Sequence, residues 1–87
     1  MPIFYSEKFE YLFKKLPANL RKKADSKIKI FKTNNHNTGL SVHKLRGYDL
    51  WAFSIDKKTR VIFKHKDNNI ILIGIGDHSI YKNLQKF

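Results

Sequence analysis

Residues 50–76 read LWAFSIDKKTRVIFKHKDNNIILIGIG, and the alternation within this stretch decides the fold. Trp51, Phe53 and Ile55 alternate with Leu50, Ala52 and Ser54, a period of two that sends the two sets to opposite faces of a strand. Asp56-Lys57-Lys58 interrupts as a turn, Thr59 to Lys64 returns, Lys66-Asp67-Asn68-Asn69 turns again, and Ile70 to Ile75 is a near-continuous apolar run. The pattern predicts a three-stranded antiparallel meander whose last strand, apolar on both faces, is central rather than an edge. The neighbour expected beside that strand is Ile3-Phe4-Tyr5, the other short apolar segment, and Val42 to Leu45 adds a short leading piece before Gly47.

The first half of the chain has a different period. Phe9, Leu12, Phe13 and Leu16 recur at i, i+3, i+4 and i+7, one stripe of a helix with Ser6 as N-cap and Glu7 in its first turn. Pro17 ends that helix and pre-sets the next. The second runs from about Pro17 to Lys32, with Leu20, Ala24, Ile28 and Phe31 facing inward and Arg21, Lys22, Lys23, Lys27, Lys29 and Lys32 elsewhere. Helices joined this tightly form an antiparallel pair. Thr33 to Ser41, TNNHNTGLS, divides the helical half from the strand-rich half. Together these readings predict one α+β domain over residues 1–87, an N-terminal helical hairpin packed on a curved, mainly antiparallel four-stranded sheet.

A chain of 87 residues has room for one core and no internal ligand-sized cavity, so any site is expected to be shallow and on the surface. Absence of cysteine excludes a disulfide framework and a thiolate metal site, and it points to a reducing compartment, the cytoplasm. The apolar runs fall far short of the roughly 20 residues that cross a bilayer, and Met1 to Tyr5 has neither the basic head nor the apolar stretch of a signal peptide. Lys and Arg number 18 against 7 Asp and Glu, a formal charge of +11. With aromatics at 14% and hydrophobics at 41%, that charge belongs to the outside of a folded domain rather than to a disordered tail. Such a field attracts polyanions: nucleic acid is the first candidate, an acidic protein partner the second, and solubility alone the last.

Alternation along the third strand sets Arg60, Ile62 and Lys64 against Val61, Phe63 and His65; Val61 and Phe63 are expected to face the helices and Arg60 and Lys64 the open face. A planar guanidinium there can hold two phosphate oxygens at once. Gly74 and Gly76 end the apolar strand, where they permit close backbone approach or a sharp exit, and Asp77-His78-Ser79-Ile80-Tyr81-Lys82 follows. The imidazole of His78 suits proton transfer as a general acid or base, and Tyr81 shares its face if the turn is helical. Each residue alone reads as an ordinary surface or packing group; beside Arg60 they form a constellation. His43-Lys44-Leu45-Arg46-Gly47-Tyr48 supplies cations and an aromatic suited to phosphate contact and base stacking, while Trp51 reads as packing. The runs Arg21-Lys22-Lys23 and Lys57-Lys58 read as solvated faces able to steer RNA or receive an acidic segment, and Lys57, Lys58, Lys64 and Lys82 join the RNA-binding candidates. The four histidines, His36, His43, His65 and His78, lack zinc-ligand spacing, no paired acids suit two-metal catalysis, and no phosphate-binding G-x-x-x-x-G-K-[ST] loop occurs. A metal-free, cofactor-free reaction on RNA survives this inventory, because RNA carries its own nucleophile in the 2′-hydroxyl.

In order and spacing, these segments resemble the RelE/ParE superfamily of bacterial type II toxin–antitoxin toxins. The likeness covers nearly the whole chain: the helical hairpin broken at Leu16-Pro17, Leu45-Arg46-Gly47-Tyr48 followed by Trp51, the strand Arg60-Val61-Ile62-Phe63, and the closing Gly76-Asp77-His78 with Tyr81. The resemblance implies an endoribonuclease that enters the ribosomal A site and cuts mRNA, held in check by an acidic antitoxin. It matches Arg60 to the arginine that stabilises the scissile phosphate, His78 to an acid or phosphate ligand near the chain end, and Tyr81 to the tyrosine of some members. His43, Lys44 and Arg46 match the basic group ahead of the meander only loosely. The lysine pair of RelE and the glutamate base of YoeB-like toxins have no counterpart, which leaves the general base unassigned. Two other readings stand beside this one: a ParE-like poison of DNA gyrase, and a non-enzymatic basic RNA-binding module.

Overall fold

In this computed structural model, which describes residues 2–87, the chain begins with strand β1 (Ile3–Tyr5) and passes directly into helix α1 (Glu7–Lys14). Met1, counted in the domain expected over residues 1–87, lies outside the described residues. The Ser6 side chain caps α1 by accepting from the Phe9 N–H at 3.0 Å, and Glu7 and Glu10 lie in the first turn, where unpaired N–H groups favour negative charge. Pro17 stands at the start of helix α2 (Ala18–Thr33). Arg21 reaches back from α2 and donates through Nη1 to the carbonyls of Leu16 at 2.6 Å and Lys14 at 3.4 Å. These are carbonyls that the end of α1 leaves free, so this cation closes the corner between the helices.

Strands β2 (His43–Lys44), β3 (Trp51–Ser54), β4 (Thr59–Lys66) and β5 (Asn69–Asp77) complete a sheet ordered β1-β5-β4-β3-β2. The meander is antiparallel, and β5 is internal, between β1 and β4. Ile3-Phe4-Tyr5 pairs parallel with Ile70, Ile71 and Leu72, the first strand of the chain lying beside the last. The sheet has five strands instead of four, because the leading piece expected within Val42–Leu45 pairs at His43 and Lys44 with Ala52 and Trp51 before the chain turns away. Asp67 and Asn68 take positive φ values of 51° and 67° in the two-residue turn joining β4 to β5, the geometry that matches the twist of a hairpin.

One face of the sheet carries the helices. Phe9 of α1 and Ala24, Ile28 and Phe31 of α2 pack on Phe53, Val61, Phe63, Leu72 and Ile75. The Phe31 ring stacks on Phe53 at 4.3 Å and tilts against Phe63 at 4.9 Å. The other face, expected to be open, is partly covered. A 3₁₀ segment, His78–Lys86, kinked at Asn83, folds back from β5, and Leu84 joins Leu45, Leu50, Ala52, Ile62 and Ile73 in a second core. A register shift makes this possible: Ile62 pairs with Gly74 and Phe63 with Leu72, so Ile73 is an extra residue on β5 and both Ile73 and Gly74 fall on the second face. A Cβ on Gly74 would stand 2.5 Å from the Phe87 ring, and one on Gly76 would stand 2.6 Å from Ile80. Both glycines are therefore the floor on which the last segment rests. Among the described residues, no helix is long and apolar enough to cross a membrane.

Because Phe31 is fully buried at the meeting point of three rings, Phe31→Ala is expected to cost about 3–5 kcal/mol, a large fraction of the roughly 5–15 kcal/mol that holds a small domain together. Urea unfolding should show the midpoint falling with its slope unchanged.

Candidate functional site

Arg60 sits near the start of β4, opposite Ser54 on one side and Gly76 on the other, and is half-buried on the face away from the helices. Its Nη1 donates to the main-chain carbonyls of Asp56 at 2.6 Å and Thr59 at 3.2 Å, so one nitrogen of the guanidinium is anchored to the turn that precedes the strand. That turn is itself held by the Asp56 side chain, whose Oδ1 accepts from the Lys58 N–H at 2.9 Å and the Thr59 N–H at 2.8 Å. Burial pushes the Asp56 carboxyl up, but the hydrogen bonds from Lys58 and Thr59 and the charge of Lys23 outweigh it and hold the group below its ordinary value.

The last segment brings its residues to the same place. Asp77 opens it by accepting from the Ser79 N–H at 2.8 Å, and hydrogen bonding from Ser79 is the main reason that its carboxyl is held below the ordinary value. The His78 and Tyr81 rings meet edge to face at 5.8 Å. Tyr81 lies against the second core, and its hydroxyl oxygen is buried without a hydrogen-bond partner, a cost that native interiors seldom carry without a reason. Burial raises the Tyr81 pKa above its ordinary 10.0, and the nearby Arg60 guanidinium draws it partly back. Arg60 is thus beside the phenol, although the geometry between them falls short of a hydrogen bond. Lys57, Lys58, Asp77, His78 and Ser79 line a shallow depression of about 430 Å³ alongside.

Arg60, His78 and Tyr81 therefore meet, with Lys57 and Lys58 on their rim. Lys82 is exposed just beyond Tyr81. His43, Lys44 and Arg46 are not part of this group. Lys44 pairs with Trp51 and Trp51 with Phe63, which is three residues along β4 from Arg60 and hence about 10 Å away along the strand. Lys64 shares the Arg60 face but lies four residues along, about 13 Å, toward that same end. The His43 Nδ1 is 2.8 Å from the Ser41 carbonyl, which assigns its proton to that nitrogen. Arg46 and Tyr48 project from a turn anchored by buried Leu45 and Leu50 and closed by the Leu45 N–H donating to the Leu50 carbonyl at 2.9 Å. Trp51 packs on Phe63 and His65, as a core residue does. Sequence reading gave no role to Asp56 beyond its turn and did not see the covering of the second face; the apolar spacing of Ile80, Leu84 and Phe87 was the available signal.

No protein-family model matches the chain, and no curated protein matches it. Solved structures do. A chain of the RelB–RelE antitoxin–toxin complex from Methanococcus jannaschii superposes with a TM-score of 0.74 at 20% identity, covering 92% of this chain and 96% of that one. YafQ from E. coli superposes with a TM-score of 0.73 at 17% identity over 91% of this chain and 94% of its own. The YoeB dimer from Staphylococcus aureus gives 0.69 at 19% identity, with 90% and 97% covered. The fold is that of the RelE, YoeB and YafQ toxins: helices on one face of a mostly antiparallel sheet, over nearly the full length of both chains.

Because burial makes the folded state hold the Tyr81 proton more tightly than the unfolded chain does, the contribution of this titration to stability is fully present below pH 10.0 and is lost as pH rises through the raised value, where the buried phenol must ionise. The difference in tyrosinate absorbance between wild type and Tyr81→Phe should therefore have its midpoint above 10.0. Deleting an unpaired buried hydroxyl should leave the stability at neutral pH unchanged or raised by up to about 1 kcal/mol.

Proposed function

We propose that this chain is the toxin of a type II toxin–antitoxin pair and that it is an endoribonuclease cutting mRNA in the ribosomal A site. The observation that carries the reading is the buried, unpartnered Tyr81 hydroxyl beside an Arg60 whose Nη1 alone is tied to carbonyls, with the His78 ring against the phenol. A phosphate oxygen supplies the acceptor that the remaining guanidinium nitrogens of Arg60 lack. The likeness to RelE, YafQ and YoeB supports the toxin role.

In this mechanism the 2′-hydroxyl gives up its proton to solvent and attacks phosphorus, and the bond to the 5′-oxygen breaks. Negative charge builds on the phosphoryl oxygens, and a guanidinium already anchored to the fold meets it without reorganising. His78 gives a proton to the departing 5′-oxygen. Lys57 and Lys58 on the rim, Lys82 beyond Tyr81, and His43, Lys44, Arg46 and Lys64 toward the far end hold the flanking phosphates. A site so open orients free RNA poorly, and the ribosome supplies the alignment, a contribution that can reach several kcal/mol of barrier. No metal or cofactor enters the scheme.

Single-turnover cleavage on programmed ribosomes tests this. Arg60→Ala should slow the reaction by about 10² to 10³, the typical loss for one such donor, and His78→Ala by about 10² to 10⁴. If both variants fold and cleave at near wild-type rates, the site is wrong. Primer extension on mRNA from induced cells should show breaks within coding regions; intact mRNA with trapped gyrase–DNA complexes would favour a gyrase poison, and RNA binding without new ends a non-enzymatic module.

The partner is an acidic antitoxin. RelB–RelE and YoeB–YefM were solved as complexes, and here α2 exposes Lys22, Lys23, Lys29 and Lys32. Co-expression with the product of a short acidic gene beside this one should yield a stable complex whose association slows as salt rises. A basic neighbour, or association indifferent to salt, would contradict this.

A further inference from the structure

Asp56 stands at the proposed phosphate site of a chain with only 7 acidic residues against 18 Lys and Arg. A carboxylate there repels RNA, so its presence calls for a task that a cation or an apolar group cannot perform. The hydrogen bonds identify one. Oδ1 accepts from the Lys58 and Thr59 N–H groups, which fixes the path of the main chain from Asp56 to Thr59. The carbonyls of Asp56 and Thr59 then converge on Arg60 Nη1 at 2.6 and 3.2 Å. Thr59 is buried at 4% exposure, and its carbonyl also accepts from the Ile55 N–H at 2.9 Å, so the far end of the turn is already clamped to the core. The near end depends on the Asp56 side chain.

Resting on the nuclease reading, we infer that Asp56 is a positioning residue: its side chain shapes the β3–β4 turn so that two main-chain carbonyls hold the Arg60 guanidinium where the phosphate arrives. Asp56 touches neither substrate nor the reacting atoms. What it supplies is prior orientation of a long, flexible cation, so its loss acts on the chemical step more than on RNA binding. The same turn carries Lys57 and Lys58, which keep their charges whatever the turn does, so binding is largely preserved.

Cleavage of mRNA on programmed ribosomes by Asp56→Ala, Asp56→Asn, Arg60→Ala and the double variant Asp56→Ala/Arg60→Ala separates this role from a merely structural one. Asp56→Ala should lower the single-turnover rate by about 10- to 100-fold, the scale of a misplaced catalytic group, with little change in half-saturation. Asp56→Asn, which keeps the acceptor and drops the charge, should restore most of that loss. In the Arg60→Ala background, Asp56→Ala should add less than about a twofold effect, because the group it positions is gone. Independent of activity, the Arg60 Nε–Hε resonance should shift in Asp56→Ala and stay near its wild-type position in Asp56→Asn. If Asp56→Ala does not fold, Asp56→Glu replaces it, since the added methylene spoils simultaneous acceptance from both N–H groups and predicts the same loss. Additive losses in the double variant, or an unmoved Arg60 resonance, would overturn the inference while leaving the nuclease reading intact. Arg60→Ala cleaving at the wild-type rate would overturn both.

Discussion

The covering of β5 on both faces is the constraint on which the rest of the molecule depends. Helix side chains press on Leu72 and Ile75 from one side, and the segment after the strand lies across the other. A strand closed in this way is the most secure element of a small sheet, since β4 pairs along one edge, β1 pairs with Ile70–Leu72 on the other, and its side chains are shielded on both faces. The extra residue at Ile73 turns Gly74 toward the second face, and the missing side chains at Gly74 and Gly76 let Phe87 and Ile80 approach the backbone closely. From that seat His78 and Tyr81 are delivered above Arg60. The geometry of the proposed site is thus a consequence of how the central strand is packed.

Electrostatics at the site follow from the same local economy of hydrogen bonds. The chain carries a formal charge of +11, yet two carboxylates, Asp56 and Asp77, lie beside the residues proposed to meet RNA. Both accept from main-chain N–H groups, Asp56 from Lys58 and Thr59 and Asp77 from Ser79, and both are thereby held in the ionised form. Their charge is directed into the backbone that shapes the turns, while Lys57, Lys58 and the imidazole of His78 present donors to solvent. Tyr81 is the converse case: burial keeps its proton on, and its hydroxyl has no partner within the fold.

Positive charge lies at both ends of the sheet. One group gathers around Arg60 at the β3–β4 turn; the other, Lys44, Arg46 and Lys64, lies toward the far end, where the turn after β2 rests on Leu45 and Leu50. The strand register sets Lys44 about 10 Å and Lys64 about 13 Å from Arg60 along the strand, Lys44 level with Trp51 and Phe63 of the helix-bearing face and Lys64 on the face of Arg60. Rigid strands, rather than loops, set that spacing.

The sequence by itself determined the elements. The period of two across residues 50–76, the Ser6 cap, the break at Pro17 and the apolar run from Ile70 to Ile75 each encode a feature fixed by backbone geometry within a few residues, and the structure follows them closely. The pairing of Ile3–Tyr5 beside β5 was also legible, because only a short apolar segment could cover that edge. What tertiary structure alone decided was the second face. A one-residue slip at Ile73 changes no composition and no local propensity, yet it determines which side chains the last segment meets. Two-residue β2 was too short for periodicity to distinguish from a loop. The burial of the Tyr81 hydroxyl and the tie from Arg60 to the Asp56 carbonyl depend on contacts between main chain and side chains whose geometry exists only once the strands are in register, which is why the sequence shows Asp56 as a turn residue and the fold shows it as the support beneath Arg60.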